Sequence, residues 1–184
     1  GAMLVAQRGT SSTSGGRQTV DGMMINDNNT NVTITQSQNT LTSSDTGPWA
    51  LGFRKSFKIA LSAAGNGLDG TSYIEMFKGI EAQDLANSGW DYTSSSSYAT
   101  FQFWVKVSTN QTFYCNLRAK DGSNSPSYAF SFTASGNNTW TKITHSIPGV
   151  SGLTFDNDAG TGLQLRIIPY FGGDYTNNSR SLNA

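Results

Sequence analysis

The amino-acid sequence predicts an all-β sandwich or jelly roll made of antiparallel strands. Short segments in which apolar and polar residues alternate recur roughly every ten residues, with Gly, Asn and Ser turns between them. Aromatic residues make up 11% of the chain and charged residues only 13%, so a few large rings must build the core between polar spacers. Strands with one buried and one wet face have this composition. We therefore expect one β-sandwich domain spanning residues 1–184.

The first half of the chain is predicted to hold a loop, several strands and one short helix. Residues 9–16 (GTSSTSGG) are expected to form a flexible loop because they offer nothing apolar to bury. Residues 81–87 (EAQDLAN) have helical composition, and their length limits them to about two turns. Strands are predicted at residues 20–25, 32–36, 53–61 and 73–80.

Residues 99–107 show the clearest alternation in the chain. Their odd-numbered positions are all apolar, and their even-numbered positions include Gln102 and Trp104. Residues 113–119 repeat the pattern, and we expect them to form a hairpin with residues 99–107 through a turn at 108–111. Further strands are predicted at residues 128–132, 140–147 and 163–171.

The charge balance and the scarcity of cysteine and histidine exclude several function classes. The 12 Lys and Arg residues equal the 12 Asp and Glu residues, so we expect no nucleic-acid partner and no anionic lipid partner. No apolar run approaches the roughly 20 residues that cross a bilayer, so no membrane partner is expected. Cys115 is the only cysteine and His145 is the only histidine in the sequence, which excludes a disulfide framework and a zinc site of the usual His/Cys kind. We expect Cys115 to be a small buried hydrophobe and His145 to be half-buried, with no nucleophile elbow to complete a triad.

Several short motifs also follow one another in a recognisable order. They are residues 1–9 (GAMLVAQRG), 79–85 (GIEAQDL), 101–106 (FQFWVK), 139–142 (TWTK) with 147–149 (IPG), and 157–163 (NDAGTGL). In this order and spacing the chain resembles, over nearly its whole length, the carbohydrate-binding-module-like jelly-roll domain of phage tail-fibre and virion proteins. The resemblance implies a galactose-binding-like, jelly-roll β-sandwich of two antiparallel sheets, located in a virion tail fibre or outside the cell.

The same resemblance implies an expectation about the edge of the sandwich. In similar proteins the chain runs on past the position of Ala184 into a further strand. Jelly rolls tend to pair a late strand with an early one, so without that strand we expect an edge near the N-terminal strands. Either the 9–16 loop or a neighbouring subunit is then expected to cover this edge, or the chain is expected to self-associate. If a neighbouring subunit covers the edge, the chain forms a homo-oligomer within a fibre.

The polar sides of the best-patterned strands indicate a glycan platform. Sugars present C–H faces that stack on aromatic rings and hydroxyls that need polar partners, so a binding face interleaves Trp or Tyr with amides and Arg. Adjacent strands of one sheet would bring such residues onto one surface. The plainer interpretation is that Trp104 packs beneath a loop and that the arginines are solvated. The predicted ligand-binding residues are Gln102, Trp104, Tyr114, Asn116, Arg118, Gln164, Arg166 and Tyr170.

Two further places are candidate sites. Trp90 and Tyr92 beside the Ser-rich loop, together with Tyr175, offer an alternative ligand site at the loop end of the sandwich. Asp156 and Asp158 precede a glycine and offer oxygen ligands to a structural calcium ion, although a plain Asx turn explains the same pattern. No other cofactor is expected.

The expected function is non-catalytic binding of a glycan or host-surface receptor by a phage or viral fibre protein. Several copies on one particle would strengthen a modest affinity per site. The alternative is a structural adhesive or assembly domain of a virion fibre, which an exposed apolar seam would favour. A glycan-cleaving enzyme needs two carboxylates about 5–10 Å apart. Glu75, Glu81 and the scattered aspartates form no recognisable pair in the sequence, so we expect no enzyme.

Overall fold

The computed structural model describes residues 3–62, 68–123 and 126–176. It confirms the predicted fold class, because the strands form antiparallel sheets in a sandwich-like arrangement. The helices in these ranges are short: α1 is Ala82–Ala86, inside the segment predicted as helical, and α2 is Gly173–Thr176. A 3-10 turn lies at Trp49–Leu51. The strands are β1 (Ser11–Ser12), β2 (Met23–Asn28), β3 (Ile34–Thr40), β4 (Lys55–Leu61), β5 (Tyr73–Glu81), β6 (Tyr98–Lys106), β7 (Gln111–Ala119), β8 (Ser127–Ala134), β9 (Trp140–Pro148) and β10 (Thr161–Phe171).

The chain divides into two compact units that are not continuous in sequence. The first unit lies within Gly1–Phe77 and Ile168–Arg180, and the second takes in Lys78–Ile167. Strands β5 and β10 each begin in one unit and end in the other. The strand orders are β1-β3-β4, β2-β5-β10-β7-β8 and β6-β9. The expectation of a single domain over residues 1–184 stays a prediction.

In the first unit, part of the segment predicted as a flexible loop is paired. Ser11 and Ser12 lie opposite Ser37 and Gln36 as strand β1, which covers part of the free edge of β3. The Gln36 side chain, only 1% exposed, donates hydrogen bonds from Nε2 to the carbonyls of Ser14 (2.7 Å) and Gly16 (3.1 Å). These bonds hold the segment in place although it buries no apolar side chain. The expectation that residues 9–16 or a neighbouring subunit cover the edge left by a further, later strand stays a prediction.

In the second unit, the predicted hairpin between residues 99–107 and 113–119 is wrong. Strand β6 pairs with β9, and β7 pairs with β8. Alternation specifies which side of a strand is buried but not which strand lies beside it. The two segments belong to different sheets, and their apolar sides face one shared core.

Stacked aromatic rings fill that core. Phe130 of β8 stacks on His145 of β9 with ring centroids 4.2 Å apart, and Phe103 of β6 meets Phe132 of β8 edge to face at 5.1 Å. Cys115 is 1% exposed, and burial raises the pKa of its thiol to about 12. The expectations of a buried cysteine and a half-buried histidine are therefore confirmed. Across the described ranges, no helix has the length and apolar character to span a membrane.

Candidate functional site

The outward side of β6 and β9 forms a surface that we call the tryptophan face. Phe101, Phe103 and Val105 of β6 and Ile143 and Ile147 of β9 pack into the core of the second unit. Because side chains alternate along a strand, the intervening residues point away from that core. The tryptophan face comprises Tyr98, Thr100, Gln102, Trp104 and Lys106 from β6 and Trp140, Lys142, Thr144, Ser146 and Pro148 from β9.

The pairing register arranges aromatic rings and cations alternately on this face. Trp104 lies opposite Lys142, and Lys106 lies opposite Trp140, so the two tryptophans are diagonal neighbours. Diagonal residues in an antiparallel pair are about 7–8 Å apart, which aromatic side chains can span. Both tryptophans are half-buried, and Lys106 Nζ lies 5.5 Å from the centroid of the Trp140 ring. At the other end of β6, Tyr98 is 61% exposed.

This arrangement has the components that sugar binding requires. The half-buried rings project from a paired β-ladder and present part of their surface to solvent. Gln102 and Thr144 lie opposite each other and supply an amide and a hydroxyl. Aromatic rings stack on the C–H faces of a sugar, and neighbouring polar groups hydrogen-bond to its hydroxyls. Together they form the apolar and polar parts of a carbohydrate contact.

The remaining predicted residues of the second unit lie on its other sheet. Phe113, Cys115 and Leu117 of β7 point into the core. We call the opposite side the tyrosine face. It comprises Tyr114, Asn116 and Arg118 of β7, their β8 partners Ser131, Ala129 and Ser127, and Gln164 and Arg166 of the adjacent β10. Tyr114 is 48% exposed, whereas Asn116 is 8% exposed, and Arg118, Gln164 and Arg166 are half-buried.

The structure therefore separates the predicted ligand-binding residues instead of joining them on one surface. Gln102 and Trp104 lie on the tryptophan face, and the β7 and β10 residues up to Arg166 lie on the tyrosine face, which points the other way from the same core. Tyr170 belongs to the first unit and packs against a cluster formed by Ile25, Ile34 and Ile74. Whether any of these residues binds a ligand stays a prediction.

Sequence reasoning missed Trp140 and Tyr98 as surface residues. A signal for Trp140 was present, because Trp140, Lys142 and Thr144 share one parity in the predicted strand 140–147. Their place beside Trp104 depends on the pairing of β6 with β9, which alternation does not encode.

The alternative loop residues are packed against other aromatic residues. Tyr92 lies 4.9 Å from Phe155 between ring centroids, and Trp90 Nε1 donates to the carbonyl of Ser97 at 3.3 Å. Both pack against a cluster formed by Ala119, Leu153 and Phe155. In the first unit, Tyr175 meets Tyr73 edge to face at 5.3 Å. These contacts give the three residues a structural role, and a ligand role for them stays a prediction.

The candidate calcium ligands lie in an exposed turn. Asp158 Oδ1 accepts a hydrogen bond from the Gly160 backbone N–H at 2.8 Å, which is an Asx-turn contact. The Asp156 N–H donates to Asp121 Oδ2 at 3.1 Å. In the part of the chain that the structure describes, no group of three or more His, Cys, Asp or Glu side chains is placed to hold a metal ion. Calcium binding by Asp156 and Asp158 stays a prediction.

The first unit contains a cleft of about 290 Å³. Its walls include Ser14, Asp27 and Thr33, and Ile25 and Ile34 contribute apolar surface. This volume lies at the lower end of the range of about 300–1,000 Å³ that small-molecule sites occupy. The sequence did not predict it, because residues 13–15 line it only once β1 has paired with β3.

Comparisons with known proteins identify a likeness in fold. No family model matches the chain, and no curated protein matches it. Among solved structures, the chain is similar to bacteriophage CBA120 tailspike protein 4, in a crystal structure of that protein's enzymatically active domain. The similarity has a TM-score of 0.51 at 15% sequence identity and covers 89% of this chain. It spans 20% of the length of the tailspike chain. At this identity, the likeness shows that the fold is shared with part of a phage tailspike.

Proposed function

We propose that this chain is a non-catalytic carbohydrate-binding or receptor-binding domain of a phage or viral fibre protein. The observation that carries the proposal is the tryptophan face, where Trp104 and Trp140 lie diagonally across two paired strands with Gln102 and Thr144 beside them. The likeness in fold to part of a phage tailspike supports the placement in a fibre.

Binding at this face would rely on rings that are already in position. Trp104 and Trp140 are half-buried on a β-ladder, so little side-chain entropy is lost when a sugar stacks on them. The β6–β9 surface is a face and not a deep pocket, which limits the area that one sugar buries. Affinity per site is then modest, and several copies on one particle raise the overall affinity.

The alternative function, a structural adhesive or assembly domain, draws support from exposed apolar residues of the first unit. Leu4 is 60% exposed, Val5 is 53% exposed and Leu51 is 63% exposed. Large exposed apolar side chains become buried when subunits assemble. Under this alternative the chain self-associates and binds no glycan.

The non-catalytic part of the proposal rests on the placement of the two glutamates. Glu75 is 4% exposed and accepts a hydrogen bond from Asn26 Nδ2 at 3.4 Å, which leaves it poorly placed to reach a glycosidic bond in solvent. Glu81 Oε2 accepts a hydrogen bond from Gln83 Nε2 at 2.7 Å. Because the similar tailspike domain is named as enzymatically active, every glycan that binds is also to be incubated with the protein and inspected for shortened products.

The test is a glycan array probed with the intact chain, followed by calorimetry on the strongest glycan. Trp104→Ala and Trp140→Ala are each expected to weaken binding about tenfold or more, because truncating an aromatic hot spot costs about 2 kcal/mol or more. Tyr114→Ala, on the tyrosine face, is the matched control and is expected to leave affinity unchanged. The unfolding midpoint of each variant establishes that it is folded.

The outcomes separate the candidates. Loss of binding only in Tyr114→Ala moves the site to the tyrosine face. Retained binding in all three variants moves it away from both faces. Absence of binding to every glycan, together with concentration-dependent self-association in light scattering, favours the assembly function.

A further inference from the structure

The tryptophan face carries positive charge from both of its strands. Lys106 and Lys142 lie on it, and none of the outward residues of β6 and β9, all of which the structure describes, is Asp or Glu. The whole chain has 12 basic and 12 acidic residues, so this positive charge is a local property. We infer that the ligand of the tryptophan face is an anionic glycan, whose sugars carry carboxylate or sulfate groups. This inference rests on the proposed function and names its ligand class.

The pairing register places each lysine next to a ring on which a sugar would stack. Lys142 is the direct partner of Trp104, and Lys106 is the direct partner of Trp140. Cβ atoms of directly opposed residues are about 4.5–5.5 Å apart. A carboxylate or sulfate on a stacked sugar therefore lies within reach of an ammonium group on a flexible four-carbon side chain.

The position of Lys106 favours an anionic ligand over a neutral one. Its Nζ lies 5.5 Å from the Trp140 ring centroid, within the distance at which a cation is attracted to an indole face. A neutral sugar that takes this ring face displaces the ammonium group and offers it hydroxyl oxygens but no opposite charge. An anionic sugar pairs with the ammonium group as it stacks, so the loss of the cation–π contact is offset.

The neutral groups of the face indicate a sugar in preference to a nucleic acid. Gln102 and Thr144 lie opposite each other, and Thr100 lies opposite Ser146, which provides partners for sugar hydroxyls. Recognition of a phosphate backbone needs a patch or stripe of clustered Lys and Arg. Two lysines beside one amide and several hydroxyls fit a ligand with widely spaced charges and many hydroxyl groups.

The experiment compares each acidic glycan with its own neutral form. An array displays uronic-acid, sialylated and sulfated oligosaccharides beside their carboxyl-reduced or desulfated counterparts, and the intact chain is applied to it. We expect the neutral forms to bind roughly three- to tenfold more weakly, as the loss of one or two exposed ion pairs predicts. The difference is expected to shrink as salt is raised, because added ions screen exposed charges.

Lysine variants locate the effect. Lys142→Gln and the double variant Lys106→Gln/Lys142→Gln are expected to lose the preference for acidic forms, and the matched arginine variants are expected to retain it. Lys120→Gln is the control, since Lys120 is exposed in the same unit but follows β7 in the other sheet. Lys142→Gln alone keeps the test valid if the change at Lys106 disturbs the Trp140 ring.

Two results overturn different statements. Equal affinity for acidic and neutral forms, or an unchanged preference in Lys142→Gln and the double variant, overturns the inference and leaves the proposed function standing. Absence of binding to both forms of every glycan overturns the carbohydrate-binding function itself.

Discussion

Strands β6 and β7 have the same alternating pattern, yet their outward sides differ in what they offer to a ligand. On β6, Gln102 is exposed and Trp104 is half-buried, whereas on β7 Tyr114 is 48% exposed but the next outward residue, Asn116, is only 8% exposed. The strand order gives a reason, because β7 has β10 on one side and β8 on the other, whereas β6 has β9 alone. Side chains on an inner strand are crowded by two neighbours. Alternation therefore decides which side of a strand faces the core, and the width of the sheet decides how open the other side is.

The strongest test of this comparison removes the core that both faces share. Phe130 is 3% exposed, stacks on His145 and contacts Phe101 edge to face with centroids 6.2 Å apart. We expect Phe130→Ala to lower the free energy of unfolding by about 3–5 kcal/mol, from lost transfer energy and the cavity left behind. Urea denaturation followed by tyrosine and tryptophan fluorescence measures the loss.

A neighbouring surface position provides the control for the core substitution. Ser131 follows Phe130 on β8 and is exposed, so Ser131→Ala is expected to change the free energy of unfolding by less than about 0.5 kcal/mol. Similar losses in Phe130→Ala and Ser131→Ala would contradict the assignment of the two sides of β8.

Adjacent residues of β7 allow a sharper chemical test. Tyr114 is 48% exposed and Cys115 is 1% exposed, so a tyrosine-nitrating reagent should modify Tyr114 in the native protein while iodoacetamide leaves Cys115 unmodified. Burial raises the pKa of the Cys115 thiol to about 12, so the reactive thiolate is also scarce in the folded state. We expect alkylation of the native protein to be at least about a hundredfold slower than in denaturing urea. Peptide mass mapping identifies the modified residues.

The same raised pKa gives this test a pH dependence with a defined sign. The folded state favours the protonated thiol, so its stabilising contribution is complete below the ordinary cysteine pKa of about 8.5. The contribution declines as the pH rises from there toward the folded value of about 12. The difference in the free energy of unfolding between wild type and Cys115→Ala should therefore narrow between about pH 8 and about pH 11. A constant difference would contradict burial as the cause of the shift.

The sequence was sufficient to predict which side of each patterned strand is buried, but not which strands pair with each other. The alternation in residues 99–107 and 113–119 correctly assigned the buried phenylalanines and Cys115, because a period of two is a property of each strand alone. The choice between a hairpin and two facing sheets depends on contacts with β8 and β9, which are distant in sequence. The separation of Trp104 from Tyr114 follows from that choice. Trp140 could have been grouped with Trp104 only by knowing the register.

The composition of residues 9–16 predicted a flexible loop and gave no sign of the strand at Ser11–Ser12, for a related reason. A stretch of Gly, Ser and Thr has no apolar pattern, and its order depends on a side chain that lies later in the chain. Gln36 bonds to the carbonyls of Ser14 and Gly16, and its Oε1 lies 3.2 Å from Thr19 Oγ1. The composition of residues 9–16 shows that they lack a core-forming pattern. It does not show that Gln36, a buried residue of another strand, bonds to their backbone.

The smallest expected effect concerns a turn of the first unit whose polar groups bond to one another. The Thr71 hydroxyl and backbone N–H donate to Asp69 Oδ1 at 2.7 and 2.8 Å, and with help from Ser72 they hold the pKa of Asp69 below its ordinary value. A lowered pKa means that the carboxylate form stabilises the fold above the ordinary value of about 3.9, and that this contribution is lost as the pH falls through the folded pKa. Because the side chain is exposed, Asp69→Asn should lower Tm only slightly at neutral pH and not at all in strong acid. Thermal melts at both pH values, with Ser131→Ala in the second unit as the control, measure this. A larger loss of Tm in acid than at neutral pH would reverse the sign and overturn the assignment of these hydrogen bonds.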